Sequence, residues 1–210
     1  MPPRARRFTL AALLCSMFMA ALEATVVATA MPSVVADLGG IELYGWVGAV
    51  YLLTSTVSMP VSGKLADQRG RKPILLAAIL VFLLGSMASG AAQSMVQLIL
   101  ARALQGLGAG GIQPIALTVV GDLYRPEQRA KIQGLFGSVW ALAGVSGPLL
   151  GGFLVSTLSW RWTFYVNVPF GLVAALLIVV FYRESVRSGA RSFDILGVTT
   201  LTGTWIVFRA

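Results

Sequence analysis

The stretch Gly63-Lys-Leu-Ala-Asp-Gln-Arg-Gly-Arg-Lys-Pro73 is the most informative part of this sequence. Four of its eleven residues are lysine or arginine, and two glycines interrupt it. Apolar runs close to membrane length flank it on both sides, at Tyr44–Ser62 and Ile74–Ala92. Because basic residues collect in the cytoplasmic loops of membrane proteins, this pattern predicts a short cytoplasmic loop that joins two transmembrane helices.

The composition also predicts a membrane protein. Hydrophobic residues make up 57% of the 210 residues and charged residues 11%, whereas a soluble domain contains about 25% charged residues. Six apolar runs approach or exceed the roughly 20 residues that cross a hydrocarbon core. They are Phe8–Ala30, Tyr44–Ser62, Ile74–Ala92, Val96–Val120, Ile132–Leu154 and Phe164–Tyr182. Helices satisfy their own backbone hydrogen bonds in lipid, so an all-α membrane fold is expected.

The net charge of +8 reflects topology rather than a nucleic-acid surface. Thirteen of the sixteen basic residues fall at the N-terminus and in every second loop. They are Arg4, Arg6 and Arg7; Lys64, Arg69, Arg71 and Lys72; Arg125, Arg129 and Lys131; and Arg183, Arg187 and Arg191. This alternation predicts a multi-pass protein of the cell membrane with a cytoplasmic N-terminus and six crossings by residue 182.

The N-terminus resembles a secretory signal, but its apolar run continues to Met31, and the loop charges alternate only if the first span is retained.

Several chemistries are excluded by residue type. Cys15 is the single cysteine and histidine is absent, so an internal disulfide and a histidine-based metal site are impossible. The glycine-rich runs lack a P-loop lysine. No enzyme activity, cofactor or metal is expected.

The six spans predict two sets of three. At an offset of 88 residues, Pro60-x-x-Gly63 falls on Pro148-x-x-Gly151, which indicates two inverted three-helix repeats. A seventh run, Ile195–Phe208, gives only about 21 Å of helix. We therefore expect an incomplete seventh span in a fragment, a frameshifted product or a truncated chain. The predicted domains are residues 1–7 (cytoplasmic N-terminus), 8–182 (six-span bundle), 183–194 (cytoplasmic linker) and 195–210 (truncated seventh span).

Two charged residues lie well inside predicted spans. Glu23 is about 10 Å from the predicted outer end of the first span, and Arg102 is at a similar depth in the fourth. An ionised carboxylate there costs several kcal/mol unless it is paired, solvated or neutralised. Glu23 is interpreted as a proton-binding site, as half of a structural ion pair, or as a residue nearer the interface than predicted. Arg102 stays protonated, so it needs a carboxylate, a carbonyl or water as its partner, and a structural arginine bonded to helix carbonyls is one interpretation.

Polar and small residues suggest further roles. Gln105, one turn from Arg102, shares its water or faces a cavity, and Asn167 either lines the cavity or caps a kinked helix. In the fifth span, Gly147-Pro148-x-x-Gly151-Gly152 allows close helix approach and a bend. Plain close packing is a sufficient explanation for that pattern. Trp160-Arg161-Trp162 is explained by aromatic anchoring at the interface.

The loop at Gly63–Pro73 resembles the signature loop of the major facilitator superfamily, G-x-L-a-D-r-x-G-r-k, with Gln68 as its one departure. The resemblance implies a cytoplasmic gating loop made of Gly63, Asp67, Arg69, Gly70, Arg71 and Lys72. It also implies a six-helix bundle that forms the N-terminal half of the major facilitator fold.

Three further stretches resemble the fourteen-span drug:proton antiporters of that superfamily. They are Leu22-Glu-Ala-Thr-Val-Val27, Ile99-x-x-Arg102-x-x-Gln105-Gly106 and Ala143-x-x-x-Gly147-Pro148-x-x-Gly151-Gly152. Glu23 stands where that family has aspartate, Ala28 where it has asparagine, and Ala143 where it has glycine. The resemblance implies proton coupling through Glu23 and Arg102, and a substrate cavity that includes Glu23, Gln105 and Asn167. The last stretch is typical of exporters.

The expected function is proton-coupled efflux of drug-like or cationic amphiphilic molecules. The expected partners are the lipid bilayer, protons, a small-molecule substrate, and a missing C-terminal half or a second copy of the chain. Export of an endogenous metabolite and a non-transporting truncated membrane protein are the alternatives.

Overall fold

The computed structural model describes residues 1–184, which form seven α-helices and a 3-10 turn at Ile41–Leu43. The helices are α1 (Pro3–Leu38), α2 (Tyr44–Arg69), α3 (Arg71–Gly90), α4 (Met95–Leu123), α5 (Pro126–Thr157), the short α6 (Trp162–Tyr165) and α7 (Asn167–Phe181). No β-strand occurs within these residues. The all-α prediction is confirmed. The predicted seventh span, 195–210, and most of the predicted linker lie outside the described residues.

Five helical segments in the described range are long and apolar enough to cross a membrane: α1, α3, α4, α5 and α6 with α7 taken together. The remaining predicted span, α2, has a comparable length of 26 residues but is less apolar. The hydroxyls of Thr54, Ser55, Thr56 and Ser58 lower its hydropathy, and each donates to a backbone carbonyl of α2 itself. Internal bonding of this kind lets a hydroxyl-rich helix pack within a membrane bundle.

The first helix is longer than the sequence predicts. It was expected to span residues 8–30, but α1 begins at Pro3 and continues through Pro32 to Leu38. Proline fits the first turn of a helix because the N–H groups of that turn have no carbonyl partner within the helix, so the missing N–H of proline costs no hydrogen bond. At the other end, Gly39 and Gly40 adopt φ of +68° and +71°, a conformation that ends helices and favours glycine. Most of the predicted N-terminal segment is therefore helical.

A break separates α6 from α7 in the last span. Pro169 has no N–H to donate to the carbonyl of Tyr165 four residues earlier, so the helical hydrogen bonds are interrupted there. Val166 forms the junction, and Asn167 is the first residue of α7. The break places the Asn167 side chain inside the bundle, where it is completely buried.

The packing follows the predicted repeat. Helix α4, from the last three spans, packs against α2 and α3, and α1, from the first three spans, packs against α5 and α7. Helices α1 and α4 also contact each other, as do α3 and α7. Exchanging the first three spans with the last three leaves this set of contacts unchanged, which is the arrangement of two inverted three-helix repeats.

Glycines set the closest helix contacts. A Cβ on Gly108 would overlap the backbone of Phe82 in α3, and one on Gly110 would overlap the backbone of Ser55 in α2. Helix α4 can therefore lie directly against both neighbours only because these positions lack side chains. The result is a bundle tight enough to exclude lipid from its centre, where the polar residues lie.

Candidate functional site

A buried ion pair lies at the centre of the bundle. Nη1 of Arg102 in α4 contacts Oε1 of Glu23 in α1, and the two residues are 3% and 0% exposed. About 22 Å of helix separates Glu23 from the end of α1 at Leu38. Because the carboxylate and the guanidinium meet inside the apolar region, each offsets the desolvation cost of the other.

Neighbouring residues complete the bonding of Arg102. Its Nη1 donates to Oε1 of Gln105 at 2.7 Å, and its Nε donates to the carbonyl of Val47 at 3.4 Å. The guanidinium carbon lies 4.2 Å from the centre of the Tyr51 ring. Arg102 therefore has the carbonyl partner that the sequence analysis considered, in addition to the carboxylate.

Hydrogen bonds connect the second carboxylate oxygen of Glu23 to three other helices. Nδ2 of Asn167 donates to Oε2 of Glu23 and also to Oγ of Ser86 in α3, at 3.0 Å. The Ser86 hydroxyl donates to the carbonyl of Phe164 in α6 at 2.8 Å. Two buried amide atoms have no partner among the described residues, Oδ1 of Asn167 and Nε2 of Gln105. Ser86 could not be predicted from the sequence, because one serine in an apolar run carries no distinctive signal.

The residues predicted to line the substrate cavity are enclosed in this conformation. Glu23, Gln105 and Asn167 are each completely buried; Asn167 donates directly to Glu23, and Gln105 is linked to Glu23 through Arg102. A pocket of about 280 Å³ lies instead between α1, α4 and α5. Its lining residues, none of them charged, are Met17, Gln113, Leu117, Gln133, Phe136, Gly137 and Trp140. The two polar lining residues, Gln113 and Gln133, could not be predicted from the sequence, because each is an isolated glutamine in an apolar run.

The predicted gating loop joins three helices at one end of the bundle. Arg71 lies 3.7 Å from Asp67 and also forms an ion pair with Asp122 near the end of α4. Gly70 has φ +100°, which favours glycine at the turn between α2 and α3. By contrast, a Cβ on Gly63 would meet open space. Asp122 was missed because it lies in a different span from the motif.

The loop is also tied to the end of α7. Lys72 Nζ donates to the carbonyls of Val179 at 2.8 Å and Tyr182 at 2.7 Å, which are among the last carbonyls of α7. In return, the carboxylate of Glu184 accepts from the backbone N–H groups of Arg71 and Lys72 at the start of α3. Each charge thus complements a helix end of opposite polarity. Burial, followed by the negative charge of Glu184, raises the pKa of Tyr182 to about 12.

The glycine motif of α5 packs against α1 close to Glu23. A Cβ on Gly147 would overlap Thr25, and one on Gly151 would press on Thr29. The Thr25 hydroxyl also donates to the carbonyl of Ala143 at 3.1 Å. Gly152 faces open space and Pro148 is exposed. The motif therefore has a packing face, Ala143-Gly147-Gly151, and an open face.

A second polar cluster lies at the end opposite the loop. Oδ2 of Asp37 in α1 accepts from Arg161 at 2.8 Å and from the indole N–H of Trp160 at 2.9 Å. Arg161 also donates to the carbonyl of Ala92 at 3.1 Å. The Trp-Arg-Trp sequence thus joins α1 to the end of α3, in addition to any interfacial anchoring. Asp37 was missed because the predicted span ended before it.

A bundle of membrane-length helices around a buried, hydrogen-bonded ion pair is the architecture of a six-helix unit of a membrane transporter. The chain belongs to the Major Facilitator Superfamily, whose sequence profile matches residues 13–207. Members of this family are transporters, not enzymes.

Two similar proteins are from Bacillus subtilis (strain 168). Multidrug transporter protein MdtP is 42% identical over 196 residues, which are 93% of this chain and 36% of the relative. Multidrug resistance protein 3 is 44% identical over 195 residues, 93% of this chain and 38% of the relative. The Acurin A biosynthesis cluster MFS-type transporter of Aspergillus aculeatus is 39% identical, over 88% of this chain and 35% of that protein. The chain spans about a third of the length of these relatives.

Solved structures agree on the fold. The D-xylose-proton symporter matches with a TM-score of 0.73 at 14% identity, over 96% of this chain and 53% of that one. The human organic anion transporter MFSD10 matches with a TM-score of 0.69 at 20% identity, over 89% and 49% of the two chains. At these identities the likeness concerns the fold alone.

Proposed function

We propose that this chain forms the N-terminal six-helix unit of an antiporter that exports drug-like or cationic amphiphilic molecules in exchange for protons. The observation that carries the proposal is the Glu23–Arg102 pair, which is buried between α1 and α4. Ionisable residues within membrane spans are costly, and they commonly mark ion and proton pathways. The names of the two Bacillus relatives support multidrug export.

In this proposal Glu23 binds the proton and Arg102 is its fixed counter-charge. Arginine stays protonated in proteins, so only the carboxyl group changes charge. Protonation of Glu23 removes one charge of the pair and weakens the attraction between α1 and α4. A conformational change between these helices is then easier, and it exposes Glu23 and Gln105 to the substrate. A purely structural ion pair is the competing explanation.

The pocket between α1, α4 and α5 would receive the apolar part of the substrate. Trp140 and Phe136 offer ring contacts, while Gln113 and Gln133 offer amide donors and acceptors. At about 280 Å³ the pocket is close to the lower end of the range for small-molecule sites, roughly 300 Å³. Because its lining is uncharged, a cationic group on the substrate requires Glu23, which is enclosed in this conformation.

The two helix-end clusters would then control access. We place the loop Gly63–Pro73 in the cytoplasm because the basic residues gather there. The contacts of Arg71 with Asp122 and of Lys72 with α7 would close the cytoplasmic end. The Asp37–Arg161 pair would hold the outer end. Exposed pairs contribute little to stability, so they suit a contact that breaks in each cycle.

Transport requires a second wall around the substrate. Alternating access is a movement of one helical unit against another around a shared site. The second unit would come from the rest of a longer protein, as in the longer relatives, or from another copy of this chain. A single six-helix unit without that partner is expected to bind protons but not to transport.

Export of an endogenous metabolite is the second candidate. It is favoured by the similarity to a transporter assigned to the acurin A biosynthesis cluster. The same ion pair and pocket would serve either substrate class, since neither the pocket lining nor the Glu23 network distinguishes a foreign compound from a metabolite.

A chimaera tests the proposed function. This chain is joined to the remaining part of MdtP and expressed in cells that lack their own drug pumps, with intact MdtP as the positive control. We expect ethidium efflux that depends on the proton gradient, is lost in Glu23→Gln and is retained in Glu42→Gln, the same change at an exposed site. Efflux that persists in Glu23→Gln contradicts the proton role. Metabolite export without ethidium export favours the second candidate.

A further inference from the structure

Asn167 connects the carboxylate of Glu23 to three helices through hydrogen bonds that all run in one direction. Both hydrogens of its Nδ2 are used, one for Oε2 of Glu23 and one for Oγ of Ser86. The Ser86 hydroxyl in turn donates to the carbonyl of Phe164. On the other side of the amide, Oδ1 is buried and has no partner among the described residues. Asn167 thus presents a donor, Nδ2, to Glu23, and its acceptor, Oδ1, is not used.

This order of hydrogen-bond donors and acceptors is compatible only with an ionised Glu23. Its Oε1 faces Arg102, which has donors and no acceptor, so an added proton cannot be placed between those two groups. The proton must sit on Oε2, where it faces Nδ2 of Asn167, which is another donor. Two donors cannot share a hydrogen bond, and leaving both unpaired in a buried site carries a large desolvation cost.

We propose that the Asn167 side-chain amide turns over when Glu23 takes up a proton, and that Ser86 thereby releases the carbonyl of Phe164. The inference rests on the proposed proton site. After the turn, Oδ1 occupies the former place of Nδ2 and accepts from both Glu23 and the Ser86 hydroxyl, while Nδ2 takes the place of Oδ1, where no described residue accepts from it. In the protonated form the number of hydrogen bonds is kept, and the turn is favoured because it removes the repulsive contact between two donors at Oε2. One proton is gained at Oε2 and no covalent bond changes. Asn167 is then a positioning residue that carries proton occupancy from α1 to the contact between α3 and α6.

Few other groups can compete for this role. The charged and titratable side chains that act on Glu23 are Arg102 from α4 and Tyr51 from α2. The parts of α3, α5 and α7 within the apolar region, residues 73–90, 132–157 and 167–181, contain no charged or titratable side chain. Apart from the weaker attraction to Arg102, protonation of Glu23 can therefore act on α3 only through uncharged side chains, and Asn167 contacts both Glu23 and Ser86.

The sequence offers a direct probe, because Asn167 is the only asparagine in the chain. The full chain is labelled with 15N-asparagine and placed in lipid nanodiscs, and the side-chain amide resonance is followed by NMR from acid to alkaline pH. In parallel, infrared spectroscopy follows a carboxylic-acid band that is assigned to Glu23 by its loss in Glu23→Gln. We expect the amide resonance and the carboxylic-acid band to change with the same midpoint pH.

Ser86→Ala provides the matched variant test. Ionised Glu23 needs Ser86 as the acceptor of the second amide hydrogen, so removing the hydroxyl disfavours the ionised form more than the protonated one. We expect the shared midpoint to rise by about one pH unit, a tenfold change in proton affinity, as expected for the loss of about one hydrogen bond. Ser89→Ala is the control, because Ser89 is buried in α3 and its hydroxyl has no partner in the described part of the chain.

Three results would overturn the inference. A carboxylic-acid band that titrates while the Asn167 resonance stays constant rejects the amide turn but keeps the proton site. Equal midpoints in Ser86→Ala and Ser89→Ala reject the role of Ser86. A spectrum in which no band depends on Glu23 rejects both the inference and the proposed proton site. The first and third results need no Ser86 variant, so a poorly folded Ser86→Ala does not leave the proposal untested.

Discussion

At the scale of residues, the centre of this protein is unusual because a full ion pair is buried among apolar helices. Glu23 and Arg102 meet between α1 and α4, and Asn167, Gln105 and Tyr51 surround them. A buried pair adds little stability compared with well-packed apolar side chains, although removing one partner is costly. Function, rather than stability, is therefore the better explanation for keeping the pair.

The pair predicts a specific pattern of stability. Glu23→Leu leaves the Arg102 guanidinium buried without its carboxylate and should destabilise the bundle by about 3 kcal/mol or more. The double variant Glu23→Leu/Arg102→Leu removes both charges and should recover most of that loss. Thermal unfolding of the unmodified protein, both single variants and the double variant in the same detergent measures the difference. If the double variant is as unstable as the two single losses combined, the charges are not coupled.

Pairings between distant residues are what the sequence could not supply. It indicated that Glu23 and Arg102 lie at similar depths, and the structure brings the two into contact. It gave no indication of Ser86, Asp37 or Glu184. Each of these acts through a partner more than 70 positions away, and nothing in the local pattern distinguishes such a residue from an ordinary polar one.

At the scale of elements, the helical type of the spans could be predicted, whereas the helix ends and the break between α6 and α7 could not. Hydrophobic length identifies a span, because the bilayer sets the number of residues needed to cross it. It does not identify where the helix stops, because a helix continues past the hydrocarbon until the backbone changes direction. For this reason α1 passes Pro32 and ends only where Gly39 takes up a positive φ.

The glycine motif of α5 allows a matched comparison within one helix. In Gly147→Ala the new methyl group would overlap Thr25, whereas in Gly152→Ala it would enter open space. We expect Gly147→Ala to lower stability by about 1–3 kcal/mol through overpacking. Gly152→Ala should have little effect or a slight stabilising one, because alanine favours the helix. Thermal unfolding in nanodiscs provides the measurement, and equal effects of the two changes would argue against close packing of α1 on α5.

At the scale of the whole molecule, the bundle has two differently connected ends. One end holds the loop Gly63–Pro73 with Asp122 and Glu184, and the other holds Asp37, Ala92 and Arg161. A protein that opens alternately to the two sides needs reversible contacts at both ends. The distribution of basic residues predicts the direction, with the loop end in the cytoplasm.

The orientation can be measured by labelling. In a Cys15→Ser background, cysteine is introduced at Glu42, which is exposed in the turn after α1, or at Gln68 in the loop. An impermeant thiol reagent added to intact cells should modify the cysteine at position 42 and leave the one at position 68 unmodified. Permeabilised cells serve as the control in which both sites react. Modification at position 68 alone in intact cells would reverse the proposed topology.

The central claim is that Glu23 holds the proton that is exchanged for substrate. In an antiporter the proton and the substrate compete, so adding a substrate should release protons. The chimaera with the remaining part of MdtP, which supplies the second wall, is placed in nanodiscs in weak buffer below the midpoint pH of Glu23. It is titrated with tetraphenylphosphonium, an aromatic cation, while a pH indicator records release and empty nanodiscs give the background. We predict a saturating release from the unmodified chimaera and from Glu42→Gln, and none from Glu23→Gln. Release of the same size from Glu23→Gln would contradict the account.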